Sequence, residues 1–374
     1  MNHEKIREQF EPAVSNWTYL NAAACGLSPQ FAKKAADTWW NDKLSHGSVN
    51  YHMWEDQADM TRKKAGHLIN AQKEEIAFVM NTSQALNLAI HGIDFTKGDN
   101  VVVNKYDFPS NFLPWLSLKE KGVEVRCIPV ENHRIPVENI KELIDDNTKA
   151  VSLSSVQFKS GFRCDLESIG NLCTEYGALF FVDAIQSLGA ITMDVKQYHI
   201  DVLATSFYKW LLGPDGIGFL YCNKDIIDQV TSTNIGWMST LNPWEFPTAL
   251  HLAPNAQKFE SGTLPWVLIY SIDSLLDFFN TIKVRTITDH IFEILDYLIG
   301  ELDRLNVHII SPLKKNERSG ILLFQVDAPE KFAELCQKNK VRISVRDGIR
   351  VSPHIYNTKT DIDVLIHHLE SFLR

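Results

Sequence analysis

The 374 residues contain no paired CxxC, no HExxH or comparable histidine spacing, no basic run, and no apolar stretch of membrane-spanning length. Each absence removes a class of function. Acidic residues outnumber basic ones, 46 to 37, for a formal net charge of -9, and without an offsetting basic stripe no nucleic-acid partner is expected. The six cysteines (Cys25, Cys127, Cys164, Cys173, Cys222 and Cys336) are scattered, so the expectation is reduced thiols, no disulfide framework and no metal site. The opening MNHEKIREQFEP lacks the apolar core of a signal peptide, and with no spanning segment the expectation is a cytoplasmic protein without membrane contact. Neither an internal repeat nor a low-complexity tract is found. What remains is 45% hydrophobic and 22% charged, enough for a sizeable core and two domains.

The chain is organised around DVLATSFYKWLLGPDGIGFLY, Asp201 to Tyr221. It opens as an apolar strand and delivers Lys209 into apolar surroundings. Burying an ammonium without a partner depresses its pKa by ~3–5 units, so such a lysine is either paired or used as a neutral nucleophile. A strand-end lysine can also simply reach for water. The GPDGIG that follows precedes another apolar strand rather than a helix, which excludes a dinucleotide fingerprint. Upstream, ALFFVDAIQSLGA reads as a buried parallel strand with Asp183 at its C-terminal end and Gln186 three residues on. Ligands of open α/β sheets sit at such ends, so Asp183 and Lys209 together predict a site.

VDAIQ followed by SFYKWLLGPDGIGFLY resembles the pyridoxal-phosphate signature of the class V aminotransferase family, which includes cysteine desulfurases, kynureninases and isopenicillin epimerase-like enzymes. The resemblance implies a fold-type-I α/β architecture, a mostly parallel sheet between helices, with a large cofactor domain over residues 21–281 and a smaller α+β domain from 1–20 and 282–374. It also implies pyridoxal 5'-phosphate as cofactor, with Lys209 forming the Schiff base, Asp183 keeping the pyridine nitrogen protonated and Gln186 reaching the phenolic oxygen. The chemistry requires these groups: a carboxylate keeps the ring an electron sink, and the aldehyde needs a primary amine.

The rest of the chain supplies candidates in order. In WTYLNAAACGLSP, Asn21 and Ala22 match a loop that approaches substrate in the family; Cys25 is either a reactive thiol or a small buried hydrophobe. Ile76 to Met80 reads as a strand and Ser83 to His91 as a helix, and the turn between them offers free N–H groups and a helix dipole to an anion. An ordinary N-cap would read the same way. By resemblance Thr82 and Ser83 contact phosphate, with Gln84 beside them. Phe108 matches the position whose ring stacks on the cofactor, where desulfurases carry histidine. Gln157 at a strand end faces the same crevice. Ser206 and Tyr208 alternate along an extended segment opposite Lys209 and match phosphate contacts. Residues 234–263 are rich in proline and tryptophan, and loops of that kind are functional or interfacial. In the family this segment completes the neighbouring protomer's site through a Gly-Thr pair, here Gly262 and Thr263, so the resemblance implies a homodimer with shared active sites.

Near the C-terminus, Arg346 and Arg350 bracket Asp347 and Gly348 at what reads as a solvated hairpin tip, while IRVSPHIYNT matches the substrate-carboxylate arginine at Arg350, a role suited to a guanidinium fork. Desulfurases carry a sulfur-accepting cysteine in this region, and Ser344 to Val351 has none. The leading expectation is an enzyme handling an amino-acid substrate, aminotransferase-like in chemistry. The alternatives are a cysteine or selenocysteine lyase, an amino-acid epimerase, and a non-catalytic family member that only binds cofactor.

Overall fold

In the computed structural model, which describes residues 3–374, seven strands form one central sheet: β1 (Ile76–Val79), β2 (Asn100–Val103), β3 (Glu124–Cys127), β4 (Thr148–Ser154), β5 (Leu179–Asp183), β6 (Val202–Ser206) and β7 (Gly218–Cys222). Their order across the sheet is β1-β7-β6-β5-β4-β2-β3. Every pairing is parallel except the two made by β7, which runs against β6 and β1.

The strand sequences explain that arrangement. Most are short runs of Val, Ile, Leu, Phe and Ala buried on both sides, the composition a sheet covered on two faces requires. Successive residues point to opposite faces, and the two cores divide accordingly. Ile76, Phe78, Val151, Leu153, Phe180, Val182 and Leu203 join one core, packed under long helices including Trp266–Ile282 and Val284–Arg304. Ala77, Val79, Val101, Val103, Phe181, Val202 and Ala204 join the other, under the helix Thr82–Gly92 and Trp115. Each fully buried Phe, Val or Leu contributes about 1.5–3 kcal/mol.

Helix ends follow local chemistry. Asp165 accepts from Ser168 N at the start of Leu166–Tyr176, and Gly177 closes that helix in the left-handed conformation, where glycine carries no steric cost. Gln30–His46 and Tyr51–Ile69 pack against Trp266–Ile282.

The C-terminal third builds a second, three-stranded antiparallel sheet from β8 (Leu322–Phe324), β9 (Ser344–Arg346) and β10 (Gly348–Val351), in the order β9-β10-β8. The N-terminal segment packs against this third of the chain, partly through a separate two-stranded sheet. Thr18–Tyr19 pairs in parallel with Val341–Arg342, Asn21 bridges Ser352, and Arg7 bonds Asp361 at 2.9 Å. Among the described residues no helix is long and apolar enough to cross a membrane.

Candidate active site

The C-terminal ends of the parallel strands converge on one cavity of about 370 Å³. Its walls include Thr82 and Ser83 beyond β1, Phe108 and Ser110 beyond β2, Asp183 ending β5, Ser206 ending β6, and Tyr208, Lys209, Asp215 and Gly216 from the loop into β7. Lys209 and Asp183 therefore share a single hollow.

Lys209 is held by a tight loop. Phe207 N bonds Ile217 O, Gly213 N bonds Phe207 O and Leu212 N bonds Lys209 O, at 2.8 to 3.1 Å. The backbone turns after Ser206 rather than staying extended, so Ser206, Tyr208 and Lys209 all line the cavity instead of facing opposite ways. Gly26 clamps this loop: its N–H donates to Tyr208 O at 2.8 Å, and an added Cβ would lie 2.1 Å from Lys209 O, closer than any side chain tolerates.

Among the described residues the Lys209 amine has no hydrogen-bonded or ion-paired partner. It stands 5.7 Å from the centre of the Phe108 ring and 5.6 Å from that of Tyr208. Burial pulls its pKa from 10.5 down to about 8; Asp183 opposes the fall, while Arg350 and Arg346 add to it. The Asp183 carboxylate is buried, accepts among the described residues only Ile185 N at 3.0 Å, and is pushed up to about 7, chiefly by burial. A buried acid and a buried amine that each perturb the other are the signature of a functional pair.

At the far wall, the helix Thr82–Gly92 aims its N-terminus into the cavity, capped by Asn81, whose side chain accepts Gln84 N at 2.9 Å. Ser206 Oγ accepts Thr82 N at 2.8 Å and bonds Thr82 Oγ1 at 2.9 Å; Ser83 Oγ meets Ser110 Oγ at 2.7 Å. Four hydroxyls thus surround an electropositive helix end. Phe108 is 47% exposed and stands edge-on to Phe158 at 5.5 Å, which makes it a cavity wall rather than a core residue.

Other predicted residues lie elsewhere. Gln186 is buried; one Nε2–H donates to Ala23 O at 3.0 Å and its Oε1 accepts Trp210 Nε1 at 2.9 Å. It does not line the cavity. Asn21 accepts from Ser344 Oγ at 2.6 Å, joining the first loop to β9. Cys25 is exposed, not a buried hydrophobe; burial of its surroundings and Asp215 raise its pKa, and Lys209 opposes them. Gly262 and Thr263 lie outside this chain's cavity, Thr263 exposed. Arg350 is only 1% exposed on β10, away from the hairpin tip, where Asp347 instead pairs with Lys159 at 2.8 Å. Its Nη1 donates to Phe158 O, while among the described residues Nε and Nη2 have no hydrogen-bond partner. Desolvation, with Arg346 beside it, lowers its pKa from 12.5 to about 9. A buried guanidinium with free N–H groups awaits an anion.

Sequence reasoning missed Asp107. It is buried, accepts Asn104 Nδ2, Asn111 Nδ2, Ser154 N and Gln157 Nε2 at 2.5 to 2.9 Å, and bears electrostatically on Asp183. The signal was there: Asn104 and Asp107 follow an apolar parallel strand, as Gln186 follows Asp183.

A model described as aminotransferase class-V matches residues 18–365. The chain belongs to the class V aminotransferase family. Class V aminotransferases are pyridoxal-phosphate enzymes, and the cavity fits the cofactor: a free amine, a buried carboxylate and hydroxyls at a helix N-terminus supply the three kinds of contact the ring and phosphate need. This class V chain is 30% identical to a probable cysteine desulfurase of Methanothermobacter thermautotrophicus, over 99% of the chain and 98% of the relative. It is 26% identical to an uncharacterized aminotransferase of Bacillus subtilis, over 96% and 95%. Its fold matches a cysteine desulfurase from Thermococcus onnurineus with TM-score 0.92 at 24% identity, over 99% and 97% of the two chains. The structure titled as a complex of the cystine C-S lyase C-DES with cysteine persulfide matches with TM-score 0.89 at 21% identity, over 96% and 99%.

Proposed function

We propose that this class V enzyme acts on a sulfur-containing α-amino acid and cleaves the bond between its β-carbon and sulfur, releasing the sulfur to solution. The single observation that carries an amino-acid substrate is Arg350, whose two buried guanidinium nitrogens without a hydrogen-bond partner among the described residues suit an α-carboxylate. When bound, pyridoxal phosphate supplies an aldehyde for the amine and an electron sink for the α-carbon. Lys209 holds the cofactor and, with a pKa drawn down to about 8, is poised to take and return the α-proton near neutral pH. Asp183 would hold a proton at the ring nitrogen. Thr82, Ser83, Ser206 and Tyr208, which line the cavity, would hold the phosphate, and Phe108 would wall the ring. Gln186 supports the site through Ala23 and Trp210, and Asn21 through Ser344.

The choice of reaction rests on relatives named cysteine desulfurase. Their names favour sulfur chemistry over the broader aminotransferase reading. Release to solution is favoured because the hairpin Ser344–Val351 carries no cysteine to accept sulfur. We further propose a homodimer in which Gly262 and Thr263 complete the partner's site, supported by the exposed Trp244, Phe246 and Leu250 on the preceding segment. Unpaired cysteines suit a reducing cytoplasm.

The test is L-cysteine with the reconstituted enzyme, measuring sulfide, pyruvate and alanine. Sulfide, pyruvate and ammonia in equal amounts, with one water consumed, are expected, and Cys25→Ala should leave them unchanged. Alanine with protein-bound sulfur that disappears in Cys25→Ala would assign sulfur transfer to Cys25 instead; keto acid formed only with a keto-acid acceptor would mean transamination.

A further inference from the structure

A second buried acid stands behind the site and takes no part in the chemistry above. Asp107 is not among the residues lining the cavity, but its neighbours Phe108 and Ser110 are. It closes the loop that follows β2. Its N–H donates to Asn104 O at 3.2 Å, its carboxylate accepts Asn104 Nδ2 and Asn111 Nδ2, and Asn111 Oδ1 in turn accepts Ser152 Oγ at 2.8 Å. Its Oδ2 also accepts Ser154 N at 2.6 Å. Ser154 is the register partner of Asp183, so the backbone that Asp107 grips lies one strand spacing, about 5 Å, from the acid of the site.

The two acids are unequally served. Asp107 accepts four N–H groups, from Asn104, Asn111, Gln157 and the Ser154 backbone, whereas the Asp183 carboxylate accepts one, from Ile185. Donors to a carboxylate favour its charged form, so Asp107 is the member of the pair that carries the charge and Asp183 the member that keeps a proton. Asp107 accordingly pushes the Asp183 pKa up, although burial also raises its own against the pull of its donors. Two further groups face this pair. The Cys164 thiol is pushed up by Asp107, and Lys209, itself faced by Arg350, Arg346 and Cys25, favours the ionised form of Asp183. All four donors to Asp107 are neutral, and among the described residues it forms no ion pair. A buried anion so placed is costly until a cation comes near.

We infer that Asp107 is a positioning residue that acts through Asp183, a fixed buried anion that keeps the proton on the cofactor's ring nitrogen. Asp183 faces that nitrogen in the reading proposed above; which bond of the substrate breaks does not enter. Taking the proton off would leave two anions and no cation on this side of a dry pocket, which their Coulomb repulsion opposes.

The experiment reads the ring proton rather than turnover. The enzyme is loaded with pyridoxal phosphate carrying nitrogen-15 in the ring, and the nitrogen signal is followed by NMR from about pH 6 to 10. The wild type should carry the proton at neutral pH. Asp107→Asn should release it at a pH lower by about one unit, a tenfold weaker hold, and Asp107→Glu, which keeps the charge, should restore most of the difference. Should the amide disrupt the four donors and leave the chain unfolded, Asp107→Ser removes the charge in a smaller volume and is read in the same way. An acid that only braces its loop would lower the melting temperature and loosen the cofactor when neutralised, while the loaded fraction titrated as the wild type does; that result overturns the assignment. A wild-type nitrogen without a proton at neutral pH would remove Asp183 from the ring, and Asp107 with it. Sulfide and pyruvate from cysteine are assayed alongside. If neither forms yet the Asp107→Asn difference stands, the sulfur chemistry fails and the role of Asp107 survives.

Discussion

Replacing Arg350 with methionine should make the free protein more stable and the enzyme worse. The guanidinium is 1% exposed, with Nε and Nη2 unpartnered, and its pKa falls from 12.5 to about 9. That fall corresponds to ~5 kcal/mol against the charged form, an upper bound on what is recovered when the charge is removed. Apolar replacements of buried charges typically recover ~1–4 kcal/mol. Against this stands the lost bond to Phe158 O, which costs about 1 kcal/mol. Arg350→Met should therefore unfold later in urea, by up to about 3 kcal/mol, in the absence of substrate and cofactor. Loss of one member of a buried charged contact costs ~2–5 kcal/mol, so kcat/KM should drop roughly thirtyfold or more, mostly through KM. An amino acid amide, lacking the carboxylate, should lose much less. A variant that is less stable than wild type, or that loses acid and amide substrates equally, would refute the assignment of Arg350 to the carboxylate.

Three shorter predictions follow from the same geometry. Ser206→Ala removes the hydroxyl that joins Thr82 N and Oγ1, and should weaken pyridoxal phosphate about tenfold in equilibrium dialysis while leaving phosphate-free pyridoxal unchanged. Asp183 titrates at about 7 in the folded chain against 3.8 ordinarily. Between those values the folded state keeps a proton that the unfolded state has released, so the stability of the cofactor-free protein falls as pH rises from about 4 to 7. Asp183→Asn should remove about 1–3 kcal/mol of that slope in urea titrations at pH 5 and 7; an unchanged slope would place the acid in contact with solvent. Gly26→Ala sets a Cβ against Lys209 O, and should both lower stability by about 1–3 kcal/mol and loosen the cofactor.

Much of the site was legible because strand ends are legible. Asp183 follows Leu179, Phe180, Phe181 and Val182, and Lys209 lies three residues past an apolar strand, so a parallel-sheet reading was enough to bring them to one end. The helix after Asn81 was equally plain from its cap chemistry. What failed depended on tertiary geometry. The turn after Ser206, fixed by bonds from Phe207, Leu212 and Gly213, placed Lys209 on the side where an extended chain would have put only Ser206 and Tyr208. Gln186 bonds Ala23 and Trp210, contacts from distant parts of the chain that no local pattern encodes. Cys25 sits at the surface because Gly26, not the cysteine, makes the close approach. Arg350 resembled a hairpin-tip charge until the register with Leu323 buried it.

The most direct measurement is the position of covalent attachment. The protein is loaded with pyridoxal phosphate, reduced with borohydride to fix any amine–aldehyde adduct, digested and read by mass spectrometry. One modified peptide is expected, carrying the label on Lys209, with near-complete occupancy that Lys209→Ala abolishes. Label spread over surface lysines, or undiminished label in Lys209→Ala, would contradict the account at its centre.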